Sequence, residues 1–181
     1  MRFRFIIFFL VFTSCKPLIS TIEGINQERD YTDIHDYASF YSNKLEVDSN
    51  KVFFFKEYED LNKFFRELRE NHLTYFYGVK VEDKLFRLNK DVETNSCLGL
   101  INEIVQKKNI STETYIEAKY DLKVDLLMNT ENIHPIINKD VVIFILSDKL
   151  GNTNHKNIKH IIQEMNIENT DFFLISVDHI R

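Results

Sequence analysis

Cysteine, glycine, proline and tryptophan are scarce in this sequence, and each shortage excludes a class of protein. The 181 residues include 2 Cys, 4 Gly, 2 Pro and no Trp. Cys15 and Cys97 lie far apart and form no C-x-x-C pair, which excludes a dithiol redox centre, a disulfide framework and a cysteine-based zinc site. So few glycines and prolines argue against disorder and against a loop-rich β architecture.

Charge and motif content exclude further classes. The formal net charge is −5, and the basic residues are scattered among acidic ones, so nucleic acid is not expected as a partner. His155 and His160 are five positions apart, so they do not share a helical face as an i, i+4 zinc pair would. Because the sequence contains no recognisable catalytic motif, we expect a non-enzymatic protein without cofactor or metal.

Residues 1–15 have the pattern of a secretory signal peptide. Arg2 and Arg4 precede an apolar run over 5–12, and short polar residues follow, as in such peptides. About twenty apolar residues would be needed to span a bilayer, so no membrane span is expected. Cleavage after Cys15 predicts a protein of the endoplasmic reticulum lumen or a secreted one. Lipidation of Cys15 would instead place a bacterial lipoprotein in the cell envelope, although Val-Phe-Thr-Ser-Cys differs from the usual acylation signal.

Apolar residues are plentiful, at 44% of the chain, and they repeat one pattern twice. Strand-like runs over 51–57 and 73–81 flank a helical face formed by Leu61, Phe64, Phe65 and Leu68. Runs over 140–147 and 171–178 flank a second helix over 155–166. Strand, short helix and strand predict parallel strands within each unit. Because a return strand over 85–88 and a helix over 95–108 would complete the first unit, we predict two separate sheets.

The segments between and before these units carry further predictions. Thr32 is expected to cap a helix whose inner face is Ile34, Tyr37, Ala38 and Tyr41. Period-two alternation predicts a strand over 122–128, followed by a short helical segment over 129–137. Cys97 is expected to be a small buried hydrophobe of the helix over 95–108. Asn109-Ile-Ser111 is a glycosylation sequon, which predicts modification of Asn109 at an exposed joint between the units.

The string Val52-Phe-Phe-Phe-Lys-Glu-Tyr-Glu-Asp60, followed by its Phe-Phe helix, resembles a specific family. With the strings over 98–105, 143–149 and 173–179, it is similar to the redox-inactive b-type and b′-type domains of protein disulfide isomerases. The resemblance implies an α/β fold of tandem thioredoxin-like domains, the first over 20–109. The second, over 115–181, would be incomplete because it stops before the closing hairpin and helix.

The same resemblance implies a function. It predicts a non-catalytic, chaperone-like protein of the secretory pathway that binds unfolded or partner polypeptides in an apolar groove of the second domain. The matching residues are Ile133, Ile136, Ile137 and Ile143. The alternative for these four residues is that they are ordinary core residues. A separate hypothesis for the whole chain is a bacterial lipoprotein anchored at Cys15 with a structural or inhibitory role.

Polar residues follow the two strands of the second unit at the point where each ends. They are Ser147, Asp148 and Lys149 after the first strand, and Ser176, Asp178 and His179 at the end of the other. Ligands of open α/β sheets gather at such ends, so Asp148, Asp178, His179 and His155 could converge, as a hydrolase would require. The alternative is a solvated rim, and Ser147 lacks the glycines of a nucleophile elbow.

Overall fold

The computed structural model describes residues 29–81, 84–88, 115–117, 122–135, 140–165, 170–178 and 180. Several sequence predictions fall on residues outside these ranges: the signal peptide over 1–15 with Cys15, the helix over 95–108 with Cys97, Asn109, Ile136, Ile137 and His179. Within the described residues, no helix is long and apolar enough to cross a bilayer.

The described residues form three α-helices and seven strands. The α-helices are α1 (Ile34–Leu45), α2 (Tyr58–Glu70) and α3 (Gly151–Glu164). The strands are β1 (Val52–Phe55), β2 (Phe76–Val81), β3 (Lys84–Leu88), β4 (Tyr115–Glu117), β5 (Leu127–Met128), β6 (Asp140–Leu146) and β7 (Thr170–Ser176). Short 3-10 helices cover Ser49–Lys51, Val124–Leu126 and Asp148–Leu150.

All seven strands belong to one mixed sheet, in the order β4-β3-β2-β6-β7-β1-β5. The central strands β6, β7 and β1 are parallel. The strands β2, β3 and β4 pair antiparallel on one side, and β5 pairs antiparallel with β1 on the other. Mixed sheets of this kind commonly have a parallel centre and antiparallel edges. The three parallel strands therefore end at a common edge, which positions the candidate site.

The prediction of two separate sheets is wrong. Strand β2 pairs antiparallel with β6, and β1 pairs with β7, so strands of both sequence units interleave, and β1 and β2 are not a parallel pair. The second unit is confirmed as parallel strands β6 and β7 joined by α3. Apolar runs reveal that a strand is buried but not which strand lies beside it, since pairing is decided by contacts distant in sequence. The expected tandem of thioredoxin-like sheets is thus replaced by one continuous α/β sheet.

The sheet lies between two helical layers. On one face, Tyr37, Tyr41 and Leu45 of α1 and the isoleucines of α3 pack against alternate residues of β6, including Val142 and Phe144. On the other face, Phe64 and Leu68 of α2 pack against the intervening residues, including Ile143 and Ile145. Burial on both faces explains why β6 is an unbroken apolar run.

Local predictions differ from the structure at four places. The N-cap of α1 is Asp33 rather than Thr32, because the Asp33 carboxylate accepts from the amides of His35 and Asp36. Phe65 is 45% exposed, so the inner face of α2 is narrower than predicted. The predicted strand over 122–128 is a 3-10 turn followed by the two-residue β5. Residues 129–135 form a turn followed by chain without regular secondary structure, rather than a helix.

Candidate functional site

Three polar residues that follow or end β6 and β7 meet at the carboxyl edge of the sheet. The Ser147 hydroxyl donates to Oδ1 of Asp178 at 2.7 Å. The backbone amide of Asp148 donates to Oδ2 of Asp178 at 2.8 Å. Because β6 and β7 are parallel neighbours, their ends coincide, and Asp148 and Asp178 lie together, which is one of the two arrangements that the sequence left open. These hydrogen bonds tie the two strand ends together.

Tyrosines of α1 and of the residue run before it complete this cluster. The hydroxyls of Tyr31 and Tyr41 each donate to Oδ1 of Asp148 at 2.7 Å. The hydroxyl of Tyr37 donates to Oδ2 of Asp178 at 3.0 Å. Tyr37 and Tyr41 are four residues apart on one helical face, so both rings point onto the sheet. We call Tyr31, Tyr37, Tyr41, Asp148 and Asp178 the tyrosine–aspartate cluster.

The protonation of the cluster follows from its burial. Desolvation, followed by the hydrogen bond to Asp148 and then by its negative charge, raises the pKa of Tyr31 and Tyr41 well above the usual 10.0. Desolvation also raises the pKa of Tyr37, so all three phenols remain donors at neutral pH. Burial raises the pKa of Asp178 above 3.8, although its hydrogen bonds oppose the shift.

His155 of α3 lies beside the cluster without a hydrogen bond to either aspartate among the described contacts. Its side chain is 3% exposed, and its Nδ1 lies 3.0 Å from Nζ of Lys44. Its Nε2 is buried without a partner in the described part of the chain. Desolvation and the nearby positive charge of Lys44 lower the pKa of His155 to about 4, and desolvation also lowers the pKa of Lys44. His155 is therefore neutral at pH 7 and accepts from Lys44.

A cleft of about 260 Å³ opens next to the cluster, at the carboxyl ends of β1 and β7. Its walls are mainly aliphatic and aromatic, and three charged side chains and Ser176 interrupt them. The lining residues are Ile34, Phe54, Phe55, Lys56, Glu57, Tyr58, Leu61, Met128, Ser176, Asp178 and Ile180. An apolar cavity with a few convergent polar groups at the strand ends is the usual form of a small-molecule site in α/β proteins.

Acidic side chains outnumber basic ones in the lining of the cleft. Asp178 and Glu57 line it together with one cation, Lys56, whose Nζ lies 3.2 Å from Nε2 of His134. The first turn of α2 adds Glu59 and Asp60 at a helix end whose dipole is positive. These carboxylates offset the attraction that a helix N-terminus has for anions.

The two described residues of the predicted polypeptide-binding set differ in exposure. Ile133 is 47% exposed on the turn after β5, as a polypeptide-binding residue would be. Ile143 is 2% exposed in the centre of the sheet, so its predicted contact with a client is wrong: β6 is covered on both faces. No set of three His, Cys, Asp or Glu side chains among the described residues could hold a metal ion.

The sequence predicts neither the cleft nor the hydrogen bonds of the tyrosine hydroxyls, although a signal for these hydrogen bonds exists. The sequence does predict Tyr37 and Tyr41 on the inner face of α1 as core residues, which is correct for their rings. Buried tyrosine hydroxyls require partners, and aspartates at strand ends are suitable acceptors. The covering of these strand ends by α1 was not predictable, since nothing local specifies where α1 packs.

Comparison with known proteins adds no identification. No protein-family model matches the chain, and neither curated proteins nor solved structures are significantly similar to it. The resemblance to the inactive domains of protein disulfide isomerases therefore rests on the short strings in the sequence.

Proposed function

We propose that this protein binds a small molecule with an apolar body in the cleft at the carboxyl ends of β1 and β7. The observation that carries the proposal is the coincidence of this cleft with the edge where the parallel strands end and where the Asp178 carboxylate is partly exposed. Open α/β sheets bind their ligands at this edge.

The volume and walls of the cleft restrict its ligand. About 260 Å³ is slightly below the range of about 300–1,000 Å³ that drug-sized ligands occupy. Phe54, Leu61 and Met128 offer apolar contact on separate elements, so a single aromatic ring or a short branched chain would be held from several sides. Binding rather than catalysis is proposed because all five members of the tyrosine–aspartate cluster hold one another in hydrogen bonds.

Blocking the cleft tests the proposal. Ligand-observed NMR with a library of small aromatic amines, alcohols and carboxylates would be run on the wild type, Leu61→Trp and Phe65→Trp. Leu61 lines the cleft, whereas Phe65 lies one helical turn later, 45% exposed and outside it. We expect a set of ligands that bind the wild type and Phe65→Trp but not Leu61→Trp. The proposal fails if no ligand is lost specifically in Leu61→Trp.

Binding of extended polypeptide is the second candidate, favoured by the exposure of Ile133. This residue follows the two-residue edge strand β5, and an exposed apolar side chain beside a sheet edge is a plausible contact for an extended chain. The secretory location and the kinship with inactive isomerase domains belong to the same proposal. Retention of a denatured client should fall in Ile133→Ser and persist in Phe65→Ser. Equal retention by both variants would reject a role for this turn.

A further inference from the structure

Asp178 lines the cleft, and its hydrogen bonds to the described residues do not use all of its acceptor capacity. An ionised carboxylate offers about four lone-pair positions. Among the described residues, three donors reach Asp178: the Ser147 hydroxyl on Oδ1, and the Asp148 amide and Tyr37 hydroxyl on Oδ2. The second position on Oδ1 is left over, and Asp178 is both partly exposed and part of the cleft lining.

The charge balance of the cleft indicates which group would occupy that position. Its lining contains two carboxylates, Asp178 and Glu57, against the single ammonium of Lys56. Lys56 is itself exposed and lies within 3.2 Å of the His134 ring. The net negative lining attracts a cation and disfavours an anion at close range.

Anionic ligands such as phosphates are disfavoured by two further features. The only glycines are Gly24, Gly78, Gly99 and Gly151, so neither the dinucleotide fingerprint nor the P-loop can be written in this chain. The N-terminus of α2, which borders the cleft at Tyr58, has Glu59 and Asp60 in its first turn. Both carboxylates pair with Lys63 on the same helix, and their negative charge near the helix N-terminus makes this end less attractive to an anion.

We propose that the ligand of this cleft carries a primary ammonium group on an aromatic or branched apolar body, and that the ammonium binds Oδ1 of Asp178. This inference rests on the proposed function and names the ligand class of the same site. The apolar body would contact Phe54, Leu61 and Met128, and the ammonium would form a charge-assisted hydrogen bond. Because burial raises the pKa of Asp178, affinity for the cation increases as the pH rises through that pKa.

Three probes that share a phenyl body and differ in head group test the inference on the wild-type chain. They are 2-phenylethylamine, 2-phenylethanol and 3-phenylpropanoate, with affinities measured by calorimetry or NMR titration at pH 7. We expect the amine to bind about tenfold more tightly than the alcohol, as one charge-assisted hydrogen bond allows, and the carboxylate to bind most weakly.

Three charge-neutralising variants locate the effect. Glu57→Gln removes an exposed carboxylate at the cleft and should reduce the preference for the amine over the alcohol by a few-fold. Glu70→Gln removes an exposed carboxylate thirteen residues further on, at the other end of α2 and about 20 Å away, and should leave the preference unchanged. Asp178→Asn should abolish the preference, and circular dichroism would show whether that variant folds.

The outcomes separate this inference from the function on which it rests. If the alcohol or the carboxylate binds the wild type as tightly as the amine, and Leu61→Trp removes that binding, the cleft is a ligand site but the ammonium inference is overturned. If none of the three probes binds, the inference fails, while the wider library with its Leu61→Trp comparison still decides the proposed function. A preference for the amine that survives in Asp178→Asn would also overturn the ammonium inference.

Discussion

Replacing His155 by Asn should change how the stability of the protein depends on pH. The imidazole is 3% exposed, its Nδ1 accepts from Lys44, and its Nε2 has no acceptor among the described residues. Protonation would place a second positive charge next to Lys44 in a desolvated position. The folded protein therefore resists this protonation, whereas the unfolded chain does not.

The magnitude follows from the two pKa values. The ordinary pKa of 6.5 describes the unfolded chain, and the pKa in the folded protein is about 4. Between these pH values the unfolded state binds the proton and the folded state does not, so stability falls as the pH falls. At about 1.4 kcal/mol per pH unit, the full effect is about 3 kcal/mol, absent above pH 6.5 and complete near pH 4.

Urea denaturation at pH 7.5, 6.5, 5.5 and 4.5 measures this effect. We subtract the free energy of unfolding of His155→Asn from that of the wild type. This difference should decrease by about 2 kcal/mol or more from pH 7.5 to 4.5, because only the wild type carries the buried imidazole. Asp178 contributes with the opposite sign, since its raised pKa makes stability fall as the pH rises above 3.8. That contribution is common to both proteins and cancels in the difference.

His160→Asn is the matched control on the same helix. His160 is half exposed and pairs with Glu164 one turn away, so its replacement reports the cost of the same substitution at the surface of α3. The difference in free energy of unfolding between the wild type and His160→Asn should vary less with pH than the corresponding difference for His155→Asn. A His155→Asn difference that stays constant within about 0.5 kcal/mol across the pH range would refute the reasoning.

Three further predictions concern the cluster, the sheet and the thiol. Tyr41→Phe should destabilise the protein by about 1.5–3 kcal/mol in urea denaturation, because it removes a buried donor to the Asp148 carboxylate; a loss below about 0.5 kcal/mol would show that the bond contributes little. Gly78→Ala should cost about 2 kcal/mol or more, because an added Cβ would overlap the backbone carbonyl of Phe86 on β3, and a variant with wild-type melting would contradict the close approach of these strands. The purified protein should not reduce insulin disulfides, since the sequence has no C-x-x-C pair and exchange normally needs a resolving partner; activity abolished by Cys97→Ala would prove this wrong.

Several elements whose character depends on local pattern agree with the prediction. Strands β6 and β7 with the intervening α3 follow from apolar runs and from the spacing of Ile158, Ile161 and Ile162, which is a property of the helix itself. The β2–β3 hairpin follows from two short apolar runs separated by a brief polar turn. The meeting of Asp148 and Asp178 follows in turn, because neighbouring parallel strands end at the same edge.

Errors occurred where the outcome depends on partners distant in sequence. The position of β1 between β7 and β5, and the antiparallel placement of β2 against β6, depend on contacts between residues that are far apart in the sequence. Phe65 was predicted to be buried because its spacing suits a wide apolar face, but only the position of α2 over the sheet decides how wide a face is covered.

The sequence by itself determined the α/β class, the central βαβ unit and the lack of paired cysteines, because periodicity and composition act over a few residues and need no knowledge of neighbours. Tertiary structure alone decided that the strands form one sheet and that α1 lies over the ends of β6 and β7. It also decided that three tyrosines share two aspartates and that a cleft opens beside them. These features arise from side chains more than a hundred residues apart, such as Tyr41 and Asp148, and the free energy of their contacts exists only once the chain has closed those loops.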